Sequence, residues 1–496
     1  MRDLLGDNKV IIQNVNEAYV RIVCNEDIAY EMKDHFTFEV PGAKFSPQYR
    51  ARLWDGKIRL LDTRNNLLYR GLVPKVADFC ISRKYDWEYD NEIYDEEFSL
   101  TEAEQFIKSI NLPEKIVPRD YQIEAFVHAI RSRRALLLSP TASGKSLIIY
   151  LIVRYLLKDF SHADKFLIIV PTISLVSQLF TDFADYGFES DKYIHRVFAG
   201  QDKQANKPIT ISTWQSLFKL PKAFFEHYTS VIGDEAHLFK AKSLSEIMTG
   251  LVNAKYRVGT TGTLDGTKTH KWVLEGLFGP VRKVTTTKEL MDQKYLADFN
   301  IKCLLLKHND NICQAAKNFT YQQEIEYLIL NESRNKFISN LAVSLNGNTL
   351  ILYQYVEKHG KILYNAINEK ISDRKCFFIS GNTEGEVREE TRRIVENETN
   401  SIIVASFGTF STGINIRNLH SIIFASPSKS RIRNLQSIGR GLRVSDTKNS
   451  AVLFDIADDL RYKKHENFTI KHFEERLRLY SEEKFPFKIF KIELKG

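Results

Sequence analysis

Short, wholly apolar runs alternate with longer stretches of helical periodicity through most of this chain. One series of runs occupies residues 135–138, 166–170, 209–212, 230–233 and 256–259; a second occupies 301–306, 349–353, 376–379, 401–405, 421–424 and 451–454. Runs without alternation predict strands buried on both faces of a parallel sheet, so the pattern places two α/β units in tandem. Before about residue 112 the pattern is α+β: residues 10–12 and 18–23 read as strands, and Trp54-Asp55-Gly56 as a turn into a strand with alternating faces. Residues 461–496 read as a short helical extension. The expected division is 1–112, 113–290, 291–460 and 461–496, with Asn111-Leu112-Pro113 at the first boundary.

Composition narrows the class. A chain of 496 residues, 43% hydrophobic and 27% charged, suits several globular domains, each able to bury its own core. The five cysteines are odd in number and never spaced CxxC, which argues against a disulfide framework or a zinc site and for a reducing compartment. No apolar core follows a basic head at the N-terminus, and the most apolar stretch, 147–157, is broken by Arg154. Neither export nor a membrane span is expected, and the expected location is cytoplasmic.

The net charge of +8 is compatible with a nucleic-acid partner, and its distribution is more telling. Residues 44–75 carry eight basic side chains, Arg50, Arg52, Lys57 and Arg59 among them, against two acidic ones. Residues 76–104 reverse the sign, with ten acidic residues against Arg83 and Lys84. The basic segment, with Trp54 among its cations, is a candidate grip on duplex or junction; the alternative is a face docked on the acidic run of the same chain.

Three motifs carry chemistry. The run at 135–138 leads through Ser139-Pro140-Thr141-Ala142-Ser143 into Gly144-Lys145-Ser146 and a helical stretch, the context of a phosphate-binding loop. Small residues let backbone N–H groups wrap phosphates at a helix N-terminus, Lys145 adds a point charge, and the Ser146 hydroxyl reaches Mg²⁺. A second run ends in Asp234-Glu235-Ala236-His237. There Asp234 is placed to hold the metal through water and Glu235 to orient and deprotonate the water attacking the γ-phosphate. In the second unit, Gln436, Arg440 and Arg443 share one helical face, and two guanidinium groups aimed at one anion suit an arginine finger delivered when the units close over ATP.

In this order the motifs resemble those of superfamily 2 helicases. Pro118 to Gln122 is similar to the adenine-side motif, Thr141 to Ser146 to motif I, and Asp234 to His237 to the DEAH box. Thr261-Gly262-Thr263 resembles motif III, Ser411 to Asn415 motif V, and Gln436 to Arg443 motif VI. The match spans about 118–460. Phe45-Ser46-Pro47, Trp54 to Leu61, His359-Gly360-Lys361 and Phe410 to Ile414 extend it to the UvsW-type recombination helicases of tailed bacteriophages. Ala142 departs from the family, which often carries Gly there.

The resemblance implies two tandem RecA-like domains after a small α+β domain, ATP and Mg²⁺ as cofactors, and branched DNA, with RNA–DNA hybrids, as partner; a monomer is expected because the arginine fingers come from the same chain. It implies that Gln122 binds adenine, that Thr141, Ala142, Ser143, Gly144, Lys145, Ser146 and Gly413 hold the nucleotide, and that Ser146 and Asp234 hold the metal. His237, Thr261, Gly262, Thr263 and Gln436 would couple nucleotide state to the nucleic-acid track. The family places that track on loops after strands, which here offer Thr172, Trp214, Gly381 and Phe407, the two aromatics as stacking candidates. A duplex translocase without strand separation and an RNA helicase share these motifs. A scaffold with a dead ATPase does not fit the joint presence of Lys145, Asp234, Glu235, Arg440 and Arg443.

Overall fold

In the computed structural model, the described residues are 8–90, 97–157, 165–197, 207–238, 241–264, 266–413, 416, 418–428, 430, 434–435, 437–439 and 450–494. They form two compact units, one of residues 1–139 and 144–284, the other of 140–143 and 285–496.

The first unit holds three sheets. Strands β1 (Lys9–Asn14), β2 (Tyr19–Val23), β5 (Leu67–Tyr69) and β6 (Asp86–Tyr89) form a mixed sheet in the order β5-β2-β1-β6, while β3 (Thr37–Glu39) and β4 (Lys57–Arg59) make a separate antiparallel ribbon. A seven-stranded sheet follows. It contains β7 (Arg134–Leu138), β8 (Lys165–Val170), β9 (Ile194–Val197), β10 (Ile209–Thr213), β11 (Tyr228–Gly233), β12 (Tyr256–Thr261) and β13 (Val281–Lys283), ordered β13-β7-β12-β11-β8-β10-β9. Every neighbouring pair is parallel. The central strands are those read as apolar runs; the edge strands β9 and β13 escaped that reading because each alternates or is half-exposed.

The small mixed sheet does not keep its core to itself. Val10, Ile12, Leu68, Val76 and Phe79 belong to one apolar cluster with Leu136, Leu167, Val231, Trp272 and Phe278 of the α/β part. Trp272, on the helix Lys268–Phe278, lies among His35, Phe36 and Phe38 with ring centroids 5.4, 5.5 and 5.1 Å away. Gly276 of that helix lets Tyr69 approach so closely that a Cβ there would fall 2.9 Å from the ring. Beside this seam the Glu17 carboxylate forms an ion pair with Arg70 at 2.8 Å and accepts from Arg134 at 2.6 Å.

The second unit carries a sheet of seven parallel strands: β14 (Asp298–Lys307), β15 (Thr349–Tyr353), β16 (Cys376–Ile379), β17 (Ile402–Ser406), β18 (Ser421–Phe424), β19 (Ser450–Asp459) and β20 (Phe487–Glu493), ordered β16-β17-β15-β18-β19-β14-β20. Its end corrects the expectation of a wholly helical extension. The helix Phe468–Glu482 stops before Pro486, and β20 then joins the open edge of β14. Lys484, at φ +56°, turns the chain out of the helix two residues before Pro486, and the alternation that follows lets Ile492 and Leu494 pack on the core of this sheet. Ion pairs seal the interior. Arg476 meets Asp455 at 2.9 Å, and Asp458 lies between Arg334 at 2.9 Å and His308 at 3.1 Å, all buried side chains.

Candidate nucleotide and nucleic-acid sites

The loop after β7 is folded by its own small residues. Ser139 N–H donates to the Thr261 carbonyl at 2.9 Å, and the Ser143 hydroxyl donates to the Pro140 carbonyl at 2.7 Å. Gly144, at φ +77°, opens the helix Lys145–Leu156. Ala142 sits at φ +66°, the left-handed region that glycine occupies freely and alanine at a cost of about 1–2 kcal/mol. The loop thus keeps its shape despite the alanine, at the expense of local strain.

At the end of β11, the Asp234 N–H donates to the Ile169 carbonyl, while its carboxylate accepts from the Thr260 hydroxyl at 2.6 Å and the Glu235 N–H at 2.9 Å. Glu235 stands at φ +49°, a turn that sends its side chain to Lys145, 3.2 Å away. On its other side lies His237 at 3.4 Å. The His237 Nδ1 is 2.6 Å from the Thr261 hydroxyl, whose proton goes to the Thr263 carbonyl at 2.9 Å, so Nδ1–H is the donor. Lys145, Glu235, His237, Thr261 and Thr263 form one connected polar chain, and the Gly262 N–H also supports the Glu235 carboxylate.

Burial raises the Asp234 carboxyl above the ordinary range, reinforced by the Glu235 charge and opposed by Lys145. Burial acts against Glu235 as well, but Lys145 and His237 outweigh it and hold that carboxyl low. The anionic charge of the pair therefore resides first on Glu235. Its Oε2 has no hydrogen-bond partner although buried, which leaves one oxygen to receive a proton.

Ser146 and Asp234 are hard oxygen donors of the kind Mg²⁺ takes from a protein, one or two at a time, beside phosphates and water.

One residue here had no sequence signal. The Tyr186 hydroxyl lies 2.9 Å from Ser146 Oγ. It arrives from just past the helix Ile173–Asp185, and its ring packs 5.1 Å from Tyr150. Burial pushes its hydroxyl up to about 12. Gln122 is also drawn in: its Oε1 accepts from Arg119 N–H at 2.8 Å and its Nε2 donates to the Gly144 carbonyl at 3.3 Å.

The track residues divide. In the first unit Thr172 caps the helix Ile173–Asp185 and Trp214 leans on the apolar core. In the second, Gly381 lies in the exposed turn after β16, its carbonyl accepting from Arg388 at 2.8 Å. Phe407 corrects the expectation of a stacking base contact. It is 2% exposed with its ring 5.3 Å from Phe424, so the core takes the face a base would need. Gly413 ends the helix Phe407–Gly413; Gln436, Arg440 and Arg443 lie outside the described residues. In the N-terminal part, Lys44, Arg50, Arg52 and Trp54 line an open concavity of about 620 Å³, Lys57 lies on β4, and the Arg59 guanidinium is paired with Asp55.

The chain is 35% identical over 491 residues to the ATP-dependent DNA helicase UvsW of Enterobacteria phage T4, covering 95% of this chain and 97% of that one. It belongs to the UvsW helicase family. The N-terminal domain of DNA helicase UvsW matches at residues 7–90, the res subunit of type III restriction enzymes at 115–266, and the helicase conserved C-terminal domain at 332–445. The crystal structure of T4 UvsW superposes with a TM-score of 0.53 at 33% identity, covering 98% of this chain and all of that one. A DNA 3'-5' translocase, XPB2 of Sulfurisphaera tokodaii, is 26% identical over 428 residues, 78% of this chain and 90% of that one. The chain is accordingly an ATP-dependent superfamily 2 DNA helicase with tandem RecA-like domains behind a small α+β domain.

Proposed function

We propose that this helicase works as a monomer on branched DNA, migrating or unwinding Holliday junctions, stalled forks and D-loops, with R-loops as further substrates, in recombination, repair and replication restart. The ATP-driven part of this reading is supported by the connected chain from Lys145 through Glu235 and His237 to Thr261 and Thr263. It gives the phosphate-binding loop a direct polar route to the ends of the neighbouring strands. In this assignment Lys145 and the backbone around Gly144 hold phosphates, Ser146 and Asp234 hold Mg²⁺, and Gln122 binds adenine. The ion, when bound, neutralises phosphate charge and orients the reacting oxygens. Phosphate oxygens compete with Glu235 for Lys145, and Glu235, so released, turns to the attacking water. Arg440 and Arg443 are assigned as fingers, and residues 1–112, 113–290, 291–460 and 461–496 as the working parts.

Turnover of ATP measured without nucleic acid, with single-stranded DNA, with a four-way junction and with single-stranded RNA tests the assignment. Preferential stimulation by the junction is the expected result. Equal stimulation by every ligand defeats the branched-DNA reading. The likeness to a translocase keeps movement along duplex without strand separation as the competing reading; displacement of a labelled strand from a fork separates the two.

A further inference from the structure

The crest joining β3 to β4 has a property that a phosphate grip does not require. Leu53 is 81% exposed and Phe45 67%, the first being the most exposed large apolar side chain among the described residues. Both stand in the basic segment 44–75, flanked by Lys44, Arg50 and Arg52. The crest is built rather than loose. Val40 N–H donates to the Gly56 carbonyl at 2.8 Å, Leu53 N–H to the Gln48 carbonyl at 2.9 Å, and the Trp54 indole N–H to the Lys57 carbonyl at 2.9 Å. Tyr49 lies against Gly56 so tightly that a Cβ there would come 3.1 Å from the ring. Arg52 adopts φ +56°, a conformation costly for a side chain of its size, which redirects the chain just before Leu53.

We propose that this crest is a strand-separating wedge, in which Leu53 and Phe45 enter between base steps at the mouth of a branched duplex while Lys44, Arg50 and Arg52 hold the flanking phosphates. The proposal rests on the branched-DNA reading above. Apolar wedges inserted between base steps unstack them, and the cost is recovered through phosphate contacts and stacking on the displaced bases. Here the adjoining concavity of about 620 Å³ has room for one such base beside the rings of Tyr49 and Trp54. Charge selects nucleic acid over a protein partner: Lys44, Arg50 and Arg52 line this rim, and its one carboxylate, Asp55, is already paired with Arg59.

The double variant Phe45→Ser, Leu53→Ser alters only exposed side chains, so folding is retained and ATP turnover without DNA is unchanged. Strand displacement from a forked duplex falls at least tenfold. A 2-aminopurine at the fork, which brightens on binding wild type without ATP, stays dim. Unchanged displacement together with unchanged 2-aminopurine brightening overturns the wedge. A separate variant, Arg50→Ala with Arg52→Ala, lowers affinity for the same fork; if affinity does not move, the nucleic-acid reading of the whole face fails, independently of the wedge.

Discussion

Two side chains at the nucleotide site separate what spacing reveals from what folding adds. Lys145 is legible from its place after Gly144, and Lys145→Ala should abolish DNA-stimulated ATP turnover while DNA affinity in a gel-shift titration stays within about threefold. Tyr186 has no such signal: forty residues separate it from Ser146 in sequence, and only the packing of its ring beside Tyr150 brings the hydroxyls to 2.9 Å. Its hydroxyl stays protonated through the working pH range, so it is a fixed partner for the Ser146 oxygen. Tyr186→Phe should raise the Mg²⁺ concentration for half-maximal turnover several-fold. The same variant should weaken fluorescent ADP binding in Mg²⁺ but not in EDTA; equal binding in both conditions would show that Tyr186 only fills space. Phe407 makes the converse point, because an aromatic in a loop after a strand has the same sequence signature whether a base or Phe424 covers its ring.

Among the elements, the seam between the small mixed sheet and the first parallel sheet rests on Glu17. Its carboxylate serves Arg70 and Arg134, both largely buried, and burial pulls the Arg134 guanidinium down to about 10 even against the Glu17 charge. Removing one partner of a buried ion pair strands the other charge, so Glu17→Gln should cost about 3 kcal/mol, read as a lowered melting temperature. In the second unit, His359 donates or accepts at Ser426 with its Nδ1, 3.0 Å away, while burial, aided by the Arg334 cation, pulls its imidazole down to about 3. Below about pH 6.5 the unfolded chain takes up a proton that the folded chain refuses until about pH 3. Stability therefore falls as pH drops through that window, by up to about 1.4 kcal/mol per pH unit from this group. The midpoint of urea unfolding should fall between pH 7 and pH 5, and His359→Asn should flatten the fall. Asp458 acts in the same direction at lower pH: Arg334 and His308 overcome its burial and hold it at about 2, so its stabilisation is complete above the ordinary carboxylate range and is lost as pH falls from there towards about 2.

On the scale of the whole molecule, the charge reversal along residues 44–104 predicts a salt effect. Lys57 and Arg50 on the N-terminal face should each contribute about one released counterion, so Arg50→Ala with Lys57→Ala should lower the slope of log affinity against log salt by about two for a four-way junction. An unchanged slope would assign that face to contacts within the chain. The sequence by itself determined the two parallel sheets, their central strands and the family to which the ordered motifs belong, and it singled out Lys145, Asp234 and Glu235 as candidates. Those signals are local, since a strand buried on both faces must be apolar throughout and a phosphate loop must be small-residued and followed by a helix. Only the tertiary structure decided that the N-terminal sheet shares its core with the first parallel sheet, that the chain after the helix Phe468–Glu482 joins β14 as β20, and that Tyr186 meets Ser146. It also decided that Phe407 is buried while Leu53 and Phe45 stand in solvent. Burial, and the partners it forces on polar groups, depend on contacts between residues far apart in the chain, and no local pattern encodes them.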